Sequence, residues 1–158
     1  MKDSMKRSMG LYILWLTLPF FINGCSGAKP NGSTVGTERL GDCPDRPNCV
    51  SSEARENKHH IAPLRLLKGD PAMGWNVIRH VIGSLPRTTI IQSTDRYLHA
   101  ECKSRLFGFV DDLELQLDTG TGVIAIRSAS RVGYSDLGVN RRRVEALRHI
   151  LKEKGVIQ

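Results

Sequence analysis

The chain has 158 residues, a formal net charge of +7 and an apolar fraction of 40%, enough for one core of ordinary size and short for two domains. Residues 1–24 hold Lys2, Lys6 and Arg7 against Asp3; three cations and one anion fewer leave +5 on the rest. That remainder favours anionic lipid head groups or an anionic ligand and requires no nucleic acid.

The N-terminus is read as an export signal. A positive start (Lys2, Lys6, Arg7) precedes the apolar run Leu11 to Ile22, interrupted by Thr17. This run is shorter than the roughly 20 residues a membrane-spanning helix needs, and a short apolar core behind a basic start marks a secretory signal. Ile22-Asn23-Gly24-Cys25 resembles the bacterial lipobox, with Asn23 where Ala or Ser is usual. The resemblance implies cleavage before Cys25 and a diacylglyceryl group on its sulfur, the new amine being a further acylation point. Multiple chains matter because each buried methylene contributes only about 0.8 kcal/mol. Ser26, by resemblance to Gram-negative sorting, implies the outer membrane in such a host. Residues 1–24 are therefore expected to be a signal peptide, residues 25–39 a lipidated tether rich in Gly, Ser, Thr, Pro and Asn, and residues 40–158 one globular domain.

Three cysteines remain for the domain: Cys43, Cys49 and Cys102. Export permits a disulfide, and Cys43-Pro-Asp-Arg-Pro-Asn-Cys49 makes these two the natural pair. Two free thiols, or a metal recruiting His59 and His60, are the alternatives; the spacing fits no zinc motif. Cys102, in an alternating segment with Leu98 and Ala100, is expected as a buried free thiol.

The pattern then predicts a helix over residues 70–85, capped by Asp70, started by Pro71 and stopped by Pro86, with Trp75, Ile78, Val81, Ile82 and Leu85 on one face. Strands follow at 88–92, at 97–103, at 109–117 with Phe109, Leu113, Leu115 and Leu117 on the apolar face, and at 123–130. The loop 118–122 closes a hairpin. A final helix over 141–154 turns Val144, Leu147, Ile150 and Leu151 to one side and ends at Gly155. The expected fold is α+β: a four-stranded antiparallel meander with an N-terminal-side helix and a C-terminal helix packed on one face.

One polar cluster stands out. Asp111 shares a face with Leu113 and Leu115, so its carboxylate needs a partner. Arg127, Ser128, Ser130 and Arg131 end the last strand, and Ser135, Asp136 and Asn140 can bond backbone amides. Arg141, Arg142 and Arg143 open the last helix, the end that disfavours cations. Something negative is therefore expected nearby: Asp111, Asp112 and Asp136 in a structural network, or a bound anion. The candidate binding set is Asp111, Asp112, Arg127, Ser128, Ser130, Arg131, Asp136, Asn140 and Arg141. Hydrolase, metalloprotease and phosphate-loop motifs are absent from the sequence. His80, His99 and His149 read as surface histidines.

Cys43 to Ser52, Tyr97 to Cys102, Phe109-Val-Asp-Asp112 and Arg127 to Asn140, four motifs in order from about Leu40 to Leu151, resemble the uncharacterised family catalogued as domain of unknown function 1499. The resemblance implies a small single-domain protein, often exported or lipid-anchored, and carries no catalytic residues. Together these readings lead to the expectation of an envelope lipoprotein held to the membrane through Cys25. It would be a binding or envelope-maintenance module for an anionic ligand or an envelope protein, with no cofactor, metal or nucleic acid. The alternatives are a hydrolase using Asp111 or Asp136 as acid or base, and a purely structural lipoprotein.

Overall fold

The computed structural model describes residues 39–158; the signal, the lipidation cysteine and most of the tether lie outside the described residues. The domain is α+β, with two helices and a sheet that is antiparallel throughout its named strand pairs.

Helix α1 (Pro71–Ser84) begins as its sequence dictates: the Asp70 carboxylate accepts from Ala72 N at 2.9 Å and Pro71 supplies the preset first helical position. Trp75, Ile78, Val81 and Ile82 are buried, and the Trp75 indole donates to Thr94 O at 3.0 Å, tying the helix to a turn of the sheet. Strands β3 (Thr88–Ser93), β4 (Tyr97–Lys103), β5 (Val110–Asp118) and β6 (Val123–Ser130) form the expected meander. Helix α2 (Val139–Glu153) buries Val144, Leu147 and Leu151. It ends where Gly155 takes φ +64°, letting Gly155 N reach Lys152 O and Val156 N reach Leu151 O at 2.9 Å each.

Two expectations are corrected. The sheet has six strands, because β1 (Cys49–Ser51) and β2 (Leu64–Arg65) pair with the free side of β6. Runs of three and two residues carry no readable periodicity; they are strands only because the β6 edge offers them partners. Phe109 lies outside β5 and half-exposed, against Phe107 with ring centroids 5.6 Å apart, rather than in the core.

Cross-strand register sorts the side chains. Leu98, Ala100 and Cys102 of β4, Asp111, Leu113, Leu115 and Leu117 of β5, and Ile124, Ile126, Ser128 and Ser130 of β6 share the face that meets both helices. Tyr97, His99, Glu101, Asp112, Glu114, Arg127 and Ala129 occupy the other face. Cys43 and Cys49 are joined by a disulfide at the entry to β1, and Cys102 is a buried free thiol. Burial pushes the Cys102 thiol up against the pull of Arg143.

Candidate functional site

The nine candidate residues do not form one cluster. The alternation of β5 and β6 sends Asp111 and Asp112 to opposite faces of the sheet, and their partners follow them.

On the helix side, Asp111 Oδ2 accepts from Arg143 Nη2 at 2.5 Å, and Arg143 Nη1 donates to Ser128 Oγ at 2.9 Å and to Asn140 Oδ1. Ser128 Oγ donates to Asn140 Oδ1 at 2.6 Å; Asn140 Nδ2 donates to Ser130 Oγ and Asn48 O at 3.0 Å each. Asn48 Nδ2 in turn reaches Gly133 O at 2.8 Å. This network bolts the start of α2 to the ends of β5 and β6 and to the residue before β1.

On the opposite face, Arg131 grips Asp112 through Nε–Oδ2 (2.9 Å) and Nη2–Oδ1 (2.6 Å), and Nη2 also reaches Glu101 at 2.6 Å. His99 Nε2 lies 2.7 Å from Asp112 Oδ1. Beside it, Arg127 Nη1 donates to Glu114 Oε2 at 2.6 Å and the Tyr97 hydroxyl to Glu114 Oε1 at 2.8 Å. Asp112, Glu114 and Arg127 are almost fully buried. Burial pushes the Asp112 carboxyl up, but hydrogen bonds from His99 and Arg131 and the guanidinium charge outweigh it and bring the group down to about 2. The bond to Asp112 raises Arg131.

Sequence reasoning missed His99, Glu101, Glu114 and Tyr97 as members of these networks, and its candidate set holds Arg141 where the structure uses Arg143. His99, expected at the surface, is buried. The readable signal was the alternation itself: a strand reading Tyr-His-Glu on one face beside one reading Asp-Glu-Gln places three polar pairs opposite each other once register is known. The three arginines opening α2 diverge. Arg141 donates to the carbonyls of His60 and Lys58, Arg142 to Leu137 O, and only Arg143 meets a carboxylate. Arg141 therefore belongs to neither cluster. The negative group at the helix start is Asp136, whose carboxylate accepts from Gly138 N at 2.9 Å and Asn140 N at 2.7 Å.

The chemistry available to these groups is limited. His99 and Asp112 are paired as an acid–base dyad would be, but the same Asp112 oxygen is held by Arg131 Nη2. Asp111 and Asp136, the candidate acids or bases, are committed to Arg143 and to the α2 cap. Each arginine in the two networks is matched by a carboxylate of the chain itself. An open groove runs along the outer side of α1, lined by Asp70, Ala72, Met73, Asn76, Val77 and His80, and no candidate residue lines it.

One further group has the elements of a metal centre: ligand atoms of Asp45, Glu56 and His59 lie within 4.8 Å of one another. His59 Nδ1 pairs with Cys49 O at 3.0 Å, and Nε2 has no partner among the described residues. The ammonium of Lys58, however, sits 2.5 Å from Asp45 Oδ1 and 3.0 Å from Glu56 Oε2, so both carboxylates already hold a cation of the chain. Its hydrogen bond acidifies Asp45. His60, the other histidine of the metal alternative, is exposed, pairs with Ala54 O at 3.2 Å and is no part of the group.

Searches of curated proteins and of solved structures returned no match to this chain. A family model described as "Protein of unknown function (DUF1499)" matches residues 39–151, from ahead of the disulfide loop almost to the end of α2. The motifs it spans hold both polar networks, and the chain belongs to this family.

Proposed function

We propose that this chain is a lipid-anchored protein of the cell envelope, tethered through Cys25, whose domain is a non-catalytic binding module. In a Gram-negative host its place is the periplasmic face of the outer membrane. The support for the anchor is the sequence: a basic start, a short apolar run and a lipobox-like Ile22-Asn23-Gly24-Cys25. The observation that carries the non-catalytic reading is the internal pairing of Asp111 with Arg143, Glu114 with Arg127, and Asp112 with Arg131. Buried charges matched in this way fix a platform and leave none of these arginines for a small anion. The hydrolase alternative loses Asp111 to Arg143 and Asp136 to the backbone amides at the start of α2. Contact with a partner then falls to the exposed apolar residues on the loops at one end of the sheet.

The test is envelope fractionation with intact-mass measurement. The expected result is a membrane-bound product beginning at residue 25 and carrying a diacylglyceryl group, with Cys25→Ser releasing an unlipidated protein. A Cys25→Ser product that differs from the parent only by the exchange of sulfur for oxygen, with the same membrane fraction, refutes the anchor.

A further inference from the structure

The β4–β5 connection and the β6–α2 connection leave the sheet at the same end. Val110 opens β5, Ser130 closes β6, Asp111 faces Ser130 across the ladder, and Arg131 N donates to Val110 O at 3.3 Å. This end holds the most exposed large apolar side chains of the described residues: Leu106 at 83%, Phe107 at 76%, Leu137 at 83% and Tyr134 at 71%. Exposed apolar side chains of this size on the loops of a small domain mark a contact surface.

The β4–β5 tip is a built loop. Ser104 N donates to Phe109 O at 2.8 Å, Phe109 N donates to Ser104 Oγ at 2.9 Å, and Phe107 packs on Phe109. Gly108 supplies the left-handed turn at φ +66°. The apolar side chains are thus held outward while their backbone is closed behind them.

Charge names the partner. Lys103 and Arg105 flank the tip, exposed Arg87 is joined to it through the Lys103 N to Arg87 O bond, and Arg142 stands exposed at the start of α2. No acidic residue lies between Lys103 and Val110, and Asp136, the acid of the second loop, is spent on the α2 cap. Apolar residues at a tip with cations at its base suit an anionic bilayer: the former pass the head groups and the latter stay level with the phosphates. We propose that Leu106, Phe107 and Phe109 insert into the interface of an anionic phospholipid surface. This rests on the lipid-anchor reading for its reach, since the stretch from Cys25 to Arg39 spans at most about 50 Å when extended. The anchor then brings the domain to the bilayer, and the tip orients it there.

The experiment uses the mature chain with Phe107→Trp on vesicles of phosphatidylglycerol and phosphatidylethanolamine, half of them carrying brominated acyl chains, with the emission of the unsubstituted chain subtracted. The expected result is a blue shift and loss of emission from the indole at 107 with the brominated lipid, both reduced on phosphatidylcholine vesicles. Leu106→Asp in the same chain should restore emission. Emission that responds to aqueous iodide and not to brominated lipid, while the chain stays on the vesicles, overturns the proposal. So does quenching that is equal on neutral and anionic vesicles. Intact mass of the same sample reports the anchor separately: lipid-borne quenching supports the tip whether or not a diacylglyceryl group is found, and its absence sinks the tip even when the group is there.

Discussion

Arg131, the residue after β6, holds Asp112 of β5 through two nitrogens on two oxygens, at 2.9 and 2.6 Å, on the face away from both helices. A planar guanidinium meeting a carboxylate in this way is the strongest pairing two side chains offer. Here it ties the residue after β6 to β5 on that face of the sheet.

The pairing has a pH signature. The Asp112 carboxyl is held at about 2, against an ordinary 3.8. A carboxyl with a depressed folded value contributes stability above its unfolded value and loses it as pH falls through the folded one. Asp112 should therefore contribute about 1–2 kcal/mol above pH ~4, lost progressively between pH ~4 and ~2. Urea unfolding of Asp112→Asn should show lower stability at neutral pH and a shallower decline through this window. A decline as steep as that of the parent would remove Asp112 from the account.

Arg127→Ala removes the guanidinium that pairs with the buried Glu114 carboxylate. The expected cost is about 3–5 kcal/mol, which for a domain of this size lowers Tm by roughly 10–20 °C. Arg127→Met combined with Glu114→Leu should recover much of that, since an apolar pair of similar volume avoids the desolvation penalty. Calorimetry of the two variants checks both; an unaltered Tm for Arg127→Ala would mean the pair holds nothing together.

The Cys43–Cys49 bridge closes a short loop onto β1. Chain entropy alone predicts a loss of about 2 kcal/mol when it is removed. Cys43→Ala with Cys49→Ala should melt at a lower temperature, and added reductant should shift the parent and leave the double variant where it is. Equal shifts in both would show that the reductant acts elsewhere.

Asp136 serves the start of α2, where Gly138 brings no side chain. Asp136→Ala should cost about 1 kcal/mol, with Asp136→Asn retaining part of the cap. Hydrogen exchange at Asn140 N reads the effect at its source: equal protection in the parent and the alanine variant would contradict the cap.

Much of the fold was legible because its signals are local. Asp70-Pro71, the 3.6-residue spacing from Trp75 to Leu85, the alternation of β4 and Gly155 each state their structure within a few residues, and β4 and β6 have the bounds expected of them. Asp111 likewise announced its need for a partner by standing among leucines, and residue 143 was among the three arginines noted for it. Which arginine answers was settled only by tertiary structure, because register and the rotation of α2 decide whose guanidinium faces the carboxylate. The same holds for β1 and β2, which exist only as additions to the edge of β6, and for His99, whose burial depends on Asp112 and Arg131 lying beside it. Sequence by itself determined the helices, the meander and part of the polar set, with Asp111, Asp112, Arg127 and Arg131 among it. Tertiary structure decided that those residues form two networks, because a strand sends consecutive side chains to opposite faces and the packing of α2 on one of them divides the charges between two environments.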